Sequence, residues 1–290
     1  MTAPVTVFGV EFQNPILLAA GTAGFGREVA DLIDLDRLGG VVTKSVSPEP
    51  RAGHPAPRVA EFPGGMLNSV GLANPGVQAV LERELPWLAS HLRRARVVVS
   101  VVGATVDDYV RGAELLAGHP VVTALELNLS CPNTARGGEH FGANDDVLAD
   151  LVRRCRERVG RPLVVKLAPT LSDIARTARV AADAGADGFT VVNTIPGALF
   201  RRDGGDGGWT GRLGADSGGV SGPALLPVGV LATRRVHRAT GLPVIGVGGV
   251  RSPDDVRQYL EAGASLVQVG TAALAEPRLP ERLAAEWARG

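Results

Sequence analysis

The chain has 290 residues, 45% hydrophobic and 21% charged, with 30 basic against 30 acidic side chains and a formal net charge of zero. This excludes a disordered chain or a small disulfide-held scaffold, and the balanced charge gives no general attraction to nucleic acid or an anionic membrane. The two cysteines, Cys131 and Cys155, fit no metal spacing, and no apolar run reaches the ~20 residues needed to span a bilayer.

The opening MTAPVTVFGVEFQNP has no basic segment followed by an apolar one, so no secretion signal is expected and the cytoplasm is the expected compartment. Within it VTVFGVEFQ (5–13) alternates apolar and polar residues around a glycine, which predicts a small hairpin capping a barrel floor. Eight short apolar runs then recur: NPILLAAG (14–21), GGVVTKS (39–45), RVVVSVVG (96–103), ALELNLS (124–130), PLVVKLAP (162–169), GFTVVNT (188–194), PVIGVGG (243–249) and LVQVGTA (266–272). They are continuous rather than alternating, as expected of parallel strands buried on both faces. Amphipathic helices are predicted between several of them, at 146–160, 172–186 and 252–264, two with Ser-Asp or Ser-Pro-Asp cap signals. Eight strand–helix units predict an α/β fold, a (β/α)8 TIM barrel, as one domain over 1–290 with no linker. The glycine-rich stretch RRDGGDGGWTGRLGADSGGVSG (201–222) is too long for a plain turn and reads as a functional or mobile loop at the mouth.

Chemistry on such a barrel sits at the C-terminal ends of its strands. The second run ends at Lys44, the fourth at Asn128 with Cys131 just beyond, the fifth carries Lys166, and the sixth ends at Asn193 and Thr194. Nearly every basic residue is arginine; Lys44 and Lys166 are the two lysines, and both fall at this mouth, where a compact ammonium suits a tight site better than a forked guanidinium. The glycines of GVGG and VGT, after runs seven and eight, permit close backbone approach to a phosphate. Clustered asparagines offer donors and acceptors that match the amide or imide edge of a heterocycle. Lys166 reads either as a Schiff-base nucleophile or as a cation stabilising an anionic cofactor ring. Cys131 reads either as a buried thiol or as a reactive group over a substrate. Cys155, within VRRCRERV, reads as a packing residue, and the five histidines as surface residues without paired metal spacing.

Together NLSCPN (128–133), TKS (43–45), GMLNSVGLANPG (65–76), VVNT (191–194), GGVSGPAL (218–225) and PVIGVGGVRSPDDVRQYLEAGASLVQVGTA (243–272) make the chain resemble a dihydroorotate dehydrogenase of the soluble, cysteine-dependent class 1, over nearly its whole length. Its loops 47–76 and 133–142 are most like those of the NAD-linked class 1B branch. The resemblance implies FMN at the mouth, no metal, and oxidation of dihydroorotate to orotate in pyrimidine biosynthesis. Cys131 is then the general base that takes the C5 proton while hydride leaves C6 for the flavin. Asn68, Asn128, Asn133, Asn193 and Thr194 would hold the substrate, Thr194 standing where the family often has serine. Lys166 would sit at the N1–C2=O edge of the flavin and Lys44 along its ring. Ala20, Gly21, Ser45, Asn128, Val192, Gly222, Gly248, Gly249, Gly270 and Thr271 would line the cofactor, and CPNTARGGEHFG (131–142) would be a lid. It further implies a homodimer core and a separate electron-transfer subunit carrying FAD and an iron–sulfur cluster, together a heterotetramer, because this chain has no cysteine cluster for such a group. Neither a membrane nor a nucleic acid is expected as partner. The C-terminus ERLAAEWARG is short for the family, which questions the last helix. The competing expectations are a dihydropyrimidine dehydrogenase-like flavin reductase, a tRNA-dihydrouridine synthase, a flavin-free aldolase using Lys166, and a barrel serving only as a scaffold.

Overall fold

The structure, a computed structural model, describes residues 4–129, 141–202 and 207–289. In chain order the strands are β1 (Val5–Val7), β2 (Val10–Phe12), β3 (Ile16–Leu18), β4 (Gly40–Val42), β5 (Val59–Phe62), β6 (Gly65–Asn68), β7 (Arg96–Val101) and β8 (Val122–Asn128). They continue as β9 (Leu163–Leu167), β10 (Gly188–Val191), β11 (Ile195–Gly197), β12 (Phe200–Arg202), β13 (Trp209–Gly211), β14 (Gly218–Ser221), β15 (Val244–Val247) and β16 (Leu266–Val269). The α-helices are α1 (Gly76–Ala79), α2 (Leu85–His91), α3 (Val106–Ala117), α4 (Asp145–Arg158), α5 (Ile174–Asp183), α6 (Leu226–Thr240), α7 (Pro253–Glu261), α8 (Thr271–Ala275) and α9 (Leu279–Arg289). None of the described helices is long and apolar enough to cross a membrane.

Strands β3, β4, β7, β8, β9, β10, β15 and β16 pair in that order and close into a barrel, β16 returning to β3. All eight expected runs form its staves. The predicted helices are α4, α5 and α7, and their starts, like that of α3, follow local chemistry. Thr105 and Ser252 form capping boxes with Asp108 and Asp255, while the Asn144 and Asp173 side chains accept first-turn N–H groups.

The barrel interior is built in two tones. Its floor is apolar: Leu17, Val42, Val98, Ala124, Val164, Ile245 and Leu266, one from each of seven strands, cluster with Val7 and Phe12 of the β1–β2 hairpin. The eighth strand offers Gly188 there, and a Cβ on it would lie 2.8 Å from the Phe8 ring. Phe8 and Gly9 turn the hairpin with φ of 56° and 71°, both left-handed, as a two-residue turn of matching twist requires. The expected floor cap is therefore real, with Phe8 filling the gap at Gly188.

Two residues further along, where the side chain points inward again, the interior turns polar. Ser100, Glu126, Lys166, Thr190 and Gln268 are all buried there. The intervening residues, including Val99, Leu125, Leu127, Val165, Phe189 and Val267, pack outward against the helices.

The glycine-rich stretch 201–222 differs from the expected loop. Its described part is strand-rich: β12 pairs with β13, and β14 joins a four-stranded antiparallel sheet, β11–β14–β6–β5. Its glycines are needed for close packing. A Cβ on Gly218 would sit 2.3 Å from the Asn68 carbonyl, and one on Gly219 2.0 Å from Thr194 Oγ1. The short C-terminus also forms its last helix: α9 buries Leu279, Pro280, Leu283 and Ala284.

Candidate active site

Polar side chains at the strand ends form one connected chain. Asn128, the last residue of β8, donates from Nδ2 to Ser45 Oγ at 3.2 Å, and Ser45 Oγ pairs with Ser100 Oγ at 2.9 Å. Asn193 Nδ2 donates to Asn128 Oδ1 at 3.5 Å, while Asn193 Oδ1 accepts the Thr194 backbone N–H at 2.8 Å. Thr194 packs on Gly219, whose carbonyl accepts from Asn68 Nδ2 at 3.1 Å. Thus Asn68, from the covering sheet, Asn128, from the end of β8, and Ser45, Asn193 and Thr194, from the segments after β4 and β10, meet in one place. The Val191–Val192 peptide is cis, and Val192 donates its N–H to Val247 O at 3.0 Å.

Lys166 is the register neighbour of Asn128 across β8 and β9, and of Thr190 across β9 and β10. It is 6% exposed, and its Nζ lies 3.6 Å from Glu126 Oε1. Glu126 Oε2 accepts from Gln268 Nε2 at 3.5 Å. This ion pair is the opposite of the unpaired apolar setting that activates a Schiff-base lysine, so it speaks against the aldolase expectation. Lys44, half-buried beyond β4, donates its backbone N–H to Gly24 O at 2.7 Å.

The glycines fall where close approach of a ligand to backbone is possible. Ala20 and Gly21 follow β3, and a Cβ on Gly21 would meet nothing within 4 Å. Gly270 and Thr271 follow β16, beside Ala19, whose N–H bonds Val269 O at 2.9 Å. Gly222, Gly248 and Gly249 have φ of 124°, 123° and 76°. The turn after Gly222 lies against the Gly248–Gly249 turn, since a Cβ on Gly249 would be 2.6 Å from Leu226 N and one on Gly248 3.2 Å from Leu225 Cβ. Cys131 and Asn133, and residues 131–140 of the expected lid, lie outside the described residues. Cys155 is where it was expected: it is buried on α4, and burial pushes its thiol up to about 12, leaving it inert at neutral pH.

Three features of the site escaped the sequence reading. Glu126 belongs to the polar layer, and its spacing two residues before Asn128 was the available signal, because period two puts both on one strand face. The other two are the chain's only tyrosines. Tyr109 on α3 donates to Asn128 O at 2.7 Å, and Tyr259 on α7 donates to Gly248 O at 2.8 Å. Each fixes the carbonyl of a strand-end residue from behind, through helix packing. In sequence each is just an aromatic on an apolar helix face.

The family model for dihydroorotate dehydrogenase matches residues 2–289. The chain is 45% identical over 271 residues to a protein of Geobacillus kaustophilus, covering 93% of this chain and 84% of that one. It is 44% identical over 276 residues to a protein of Cutibacterium acnes, covering 94% and 88%. A third, from Geobacillus sp. strain WCH70, is 42% identical over 280 residues, covering 96% and 87%. All three carry the name dihydroorotate dehydrogenase B (NAD(+)), catalytic subunit.

Proposed function

The chain belongs to the dihydroorotate dehydrogenase family, and from that premise we propose that it is the FMN-binding catalytic subunit of a class 1B enzyme, oxidising (S)-dihydroorotate to orotate in pyrimidine biosynthesis. One observation carries this reading onto the residues: the hydrogen-bonded run from Thr194 through Asn193 and Asn128 to Ser45, with Asn68 bonded to Gly219 where that glycine packs on Thr194, set beside a buried lysine. Amide side chains match the imide edge of a pyrimidine, each giving one donor and one acceptor without adding charge.

The residues also fit FMN. Among the described residues the buried side-chain amide oxygen of Gln268 and the hydroxyl of Thr190, the register neighbour of Lys166, are without hydrogen-bond partners, and the left-handed turns at Gly222, Gly248 and Gly249 leave backbone able to meet a phosphate. FMN bound there supplies the hydride acceptor. Lys166 holds a fixed positive charge where negative charge develops, and Lys44 and Ser45 border the ring. Ala20, Gly21, Val192, Gly270 and Thr271 line it. Cys131 takes the C5 proton of the substrate, and Asn68, Asn128, Asn133, Asn193 and Thr194 hold the ring and its carboxylate so that this proton faces the thiol.

The relatives' name as a catalytic subunit supports a separate partner. We assign it the FAD and iron–sulfur chemistry needed to pass electrons to NAD, in a heterotetramer around a homodimer of this chain. The test is to purify the chain, record its visible spectrum, and add dihydroorotate without oxygen. A yellow protein that bleaches is the expected result. A colourless chain that cannot take up FMN overturns the cofactor assignment, and a yellow one that bleaches with another dihydropyrimidine but not with dihydroorotate overturns the substrate.

A further inference from the structure

Glu126 is fully buried, yet it is poorly satisfied. Among the described residues its Oε1 makes no hydrogen bond and its Oε2 has a long one, 3.5 Å, from Gln268. A carboxylate removed from water in this way costs several kcal/mol of desolvation, and a hydrophobic residue of similar size would usually serve stability as well or better. Its partner explains its presence. Lys166 Nζ lies 3.6 Å from Oε1. The strand register puts Asn128 level with Lys166 and Val164 level with Glu126, so the carboxylate is attached one inward step nearer the floor than the ammonium it holds.

We infer that Glu126 is a positioning residue that acts through Lys166: it holds the ammonium at the level of Asn128 and offsets part of its charge, and so sets how strongly the site favours the reduced, anionic form of the cofactor. The inference rests on the proposed FMN reading. It requires that the charge of Lys166 reach the cofactor only after partial cancellation by its neighbour. Removing the carboxylate without changing its shape leaves that charge uncompensated, and an uncompensated cation stabilises an anion more. A carboxylate serving only the packing of the barrel would change stability and leave the redox balance alone.

The experiment uses the whole chain with FMN and the variants Glu126→Gln, Glu126→Asp, Lys166→Gln and the double variant Glu126→Gln/Lys166→Gln. At a fixed ratio of dihydroorotate to orotate, Glu126→Gln is expected to raise the ratio of reduced to oxidised FMN by on the order of tenfold, and Glu126→Asp to return it toward wild type. On the FMN-free proteins, Lys166→Gln is expected to lower the melting temperature and the double variant to recover part of the loss, since it no longer buries a lone carboxylate. FMN bound normally with an unchanged redox ratio in Glu126→Gln overturns the inference and leaves the function standing. No FMN bound to wild type overturns both. If Glu126→Gln does not fold, the comparison of Lys166→Gln with the double variant decides: absence of recovery overturns the inference, and recovery upholds the coupling it requires.

Discussion

Tyr259→Phe removes one atom and tests how the Gly248–Gly249 turn, the proposed phosphate site, is held. The tyrosine is fully buried, and its hydroxyl donates to Gly248 O at 2.8 Å. Burial, with the nearby Asp255 carboxylate adding to it, pushes the phenol up, so it stays a donor across the working range. The ring is tightly seated: a Cβ on Gly246 would be 2.2 Å from Tyr259 Cδ1, and one on Gly229 1.9 Å from the hydroxyl. Phenylalanine therefore keeps the seat and loses only the bond. A net hydrogen bond of this kind contributes ~1 kcal/mol, and leaving the carbonyl without it raises the cost to about 1–2 kcal/mol. For a chain of 290 residues that is a fall of about 2–3 °C in melting temperature. Because the freed carbonyl belongs to the Gly248–Gly249 turn, FMN affinity should fall too, by roughly three- to tenfold. Thermal denaturation with and without FMN, and fluorescence titration of FMN, measure both. A lower melting temperature with unchanged FMN affinity would refute the idea that the tyrosine serves the turn, and no change in either would refute the bond itself.

Cys131→Ala should keep FMN bound and abolish turnover at neutral pH; activity near wild type would sink the assignment of the base. Cys155→Ala removes a fully buried sulfur and should cost about 1 kcal/mol with no change in kcat, seen as a melting shift of about 1–2 °C; loss of activity instead would mean that this thiol reaches the chemistry. Gly219→Ala drives a methyl to within 2.0 Å of Thr194 Oγ1, so it should raise KM for dihydroorotate about tenfold or more while FMN binding changes little. Steady-state kinetics beside an FMN titration checks this, and an unchanged KM would detach Thr194 from the substrate.

The barrel was readable because burial on both faces leaves a simple mark, a continuous apolar run, and because eight such marks recurred. The hairpin over the floor was readable from alternation around Gly9. The covering sheet was not. Its strands are short, and Gly218 and Gly219 are small because the Asn68 backbone presses on the first and Thr194 on the second, neighbours that only the folded chain brings to them. Asn128, Asn193, Lys44 and Lys166 could be singled out from their place at or near strand ends, whereas Asn68 and Gly222 came only with the family resemblance. Glu126 could not be weighed in the same way, since a carboxylate inside a strand is ordinarily a solvated side chain, and only closure of the barrel buries it. The roles of Tyr109 and Tyr259 likewise depend on where a helix, once packed, carries a hydroxyl.

A single strand shows how these pieces depend on one another. Along the inward face of β8 stand Ala124, Glu126 and Asn128, in that order from floor to mouth. Ala124 belongs to the dry cluster plugged by Val7 and Phe12, which keeps water from reaching the polar layer from below. That dryness makes the charge of Lys166 act at low dielectric, and the same dryness would make it costly without Glu126. Asn128 then carries the layer into the chain of polar side chains with Ser45 and Asn193, while Tyr109 grips its carbonyl from outside the barrel. The apolar floor is thus part of the chemistry: a substitution that let water in beneath Glu126 would weaken the ion pair and the field at the mouth together, without touching a residue that meets substrate.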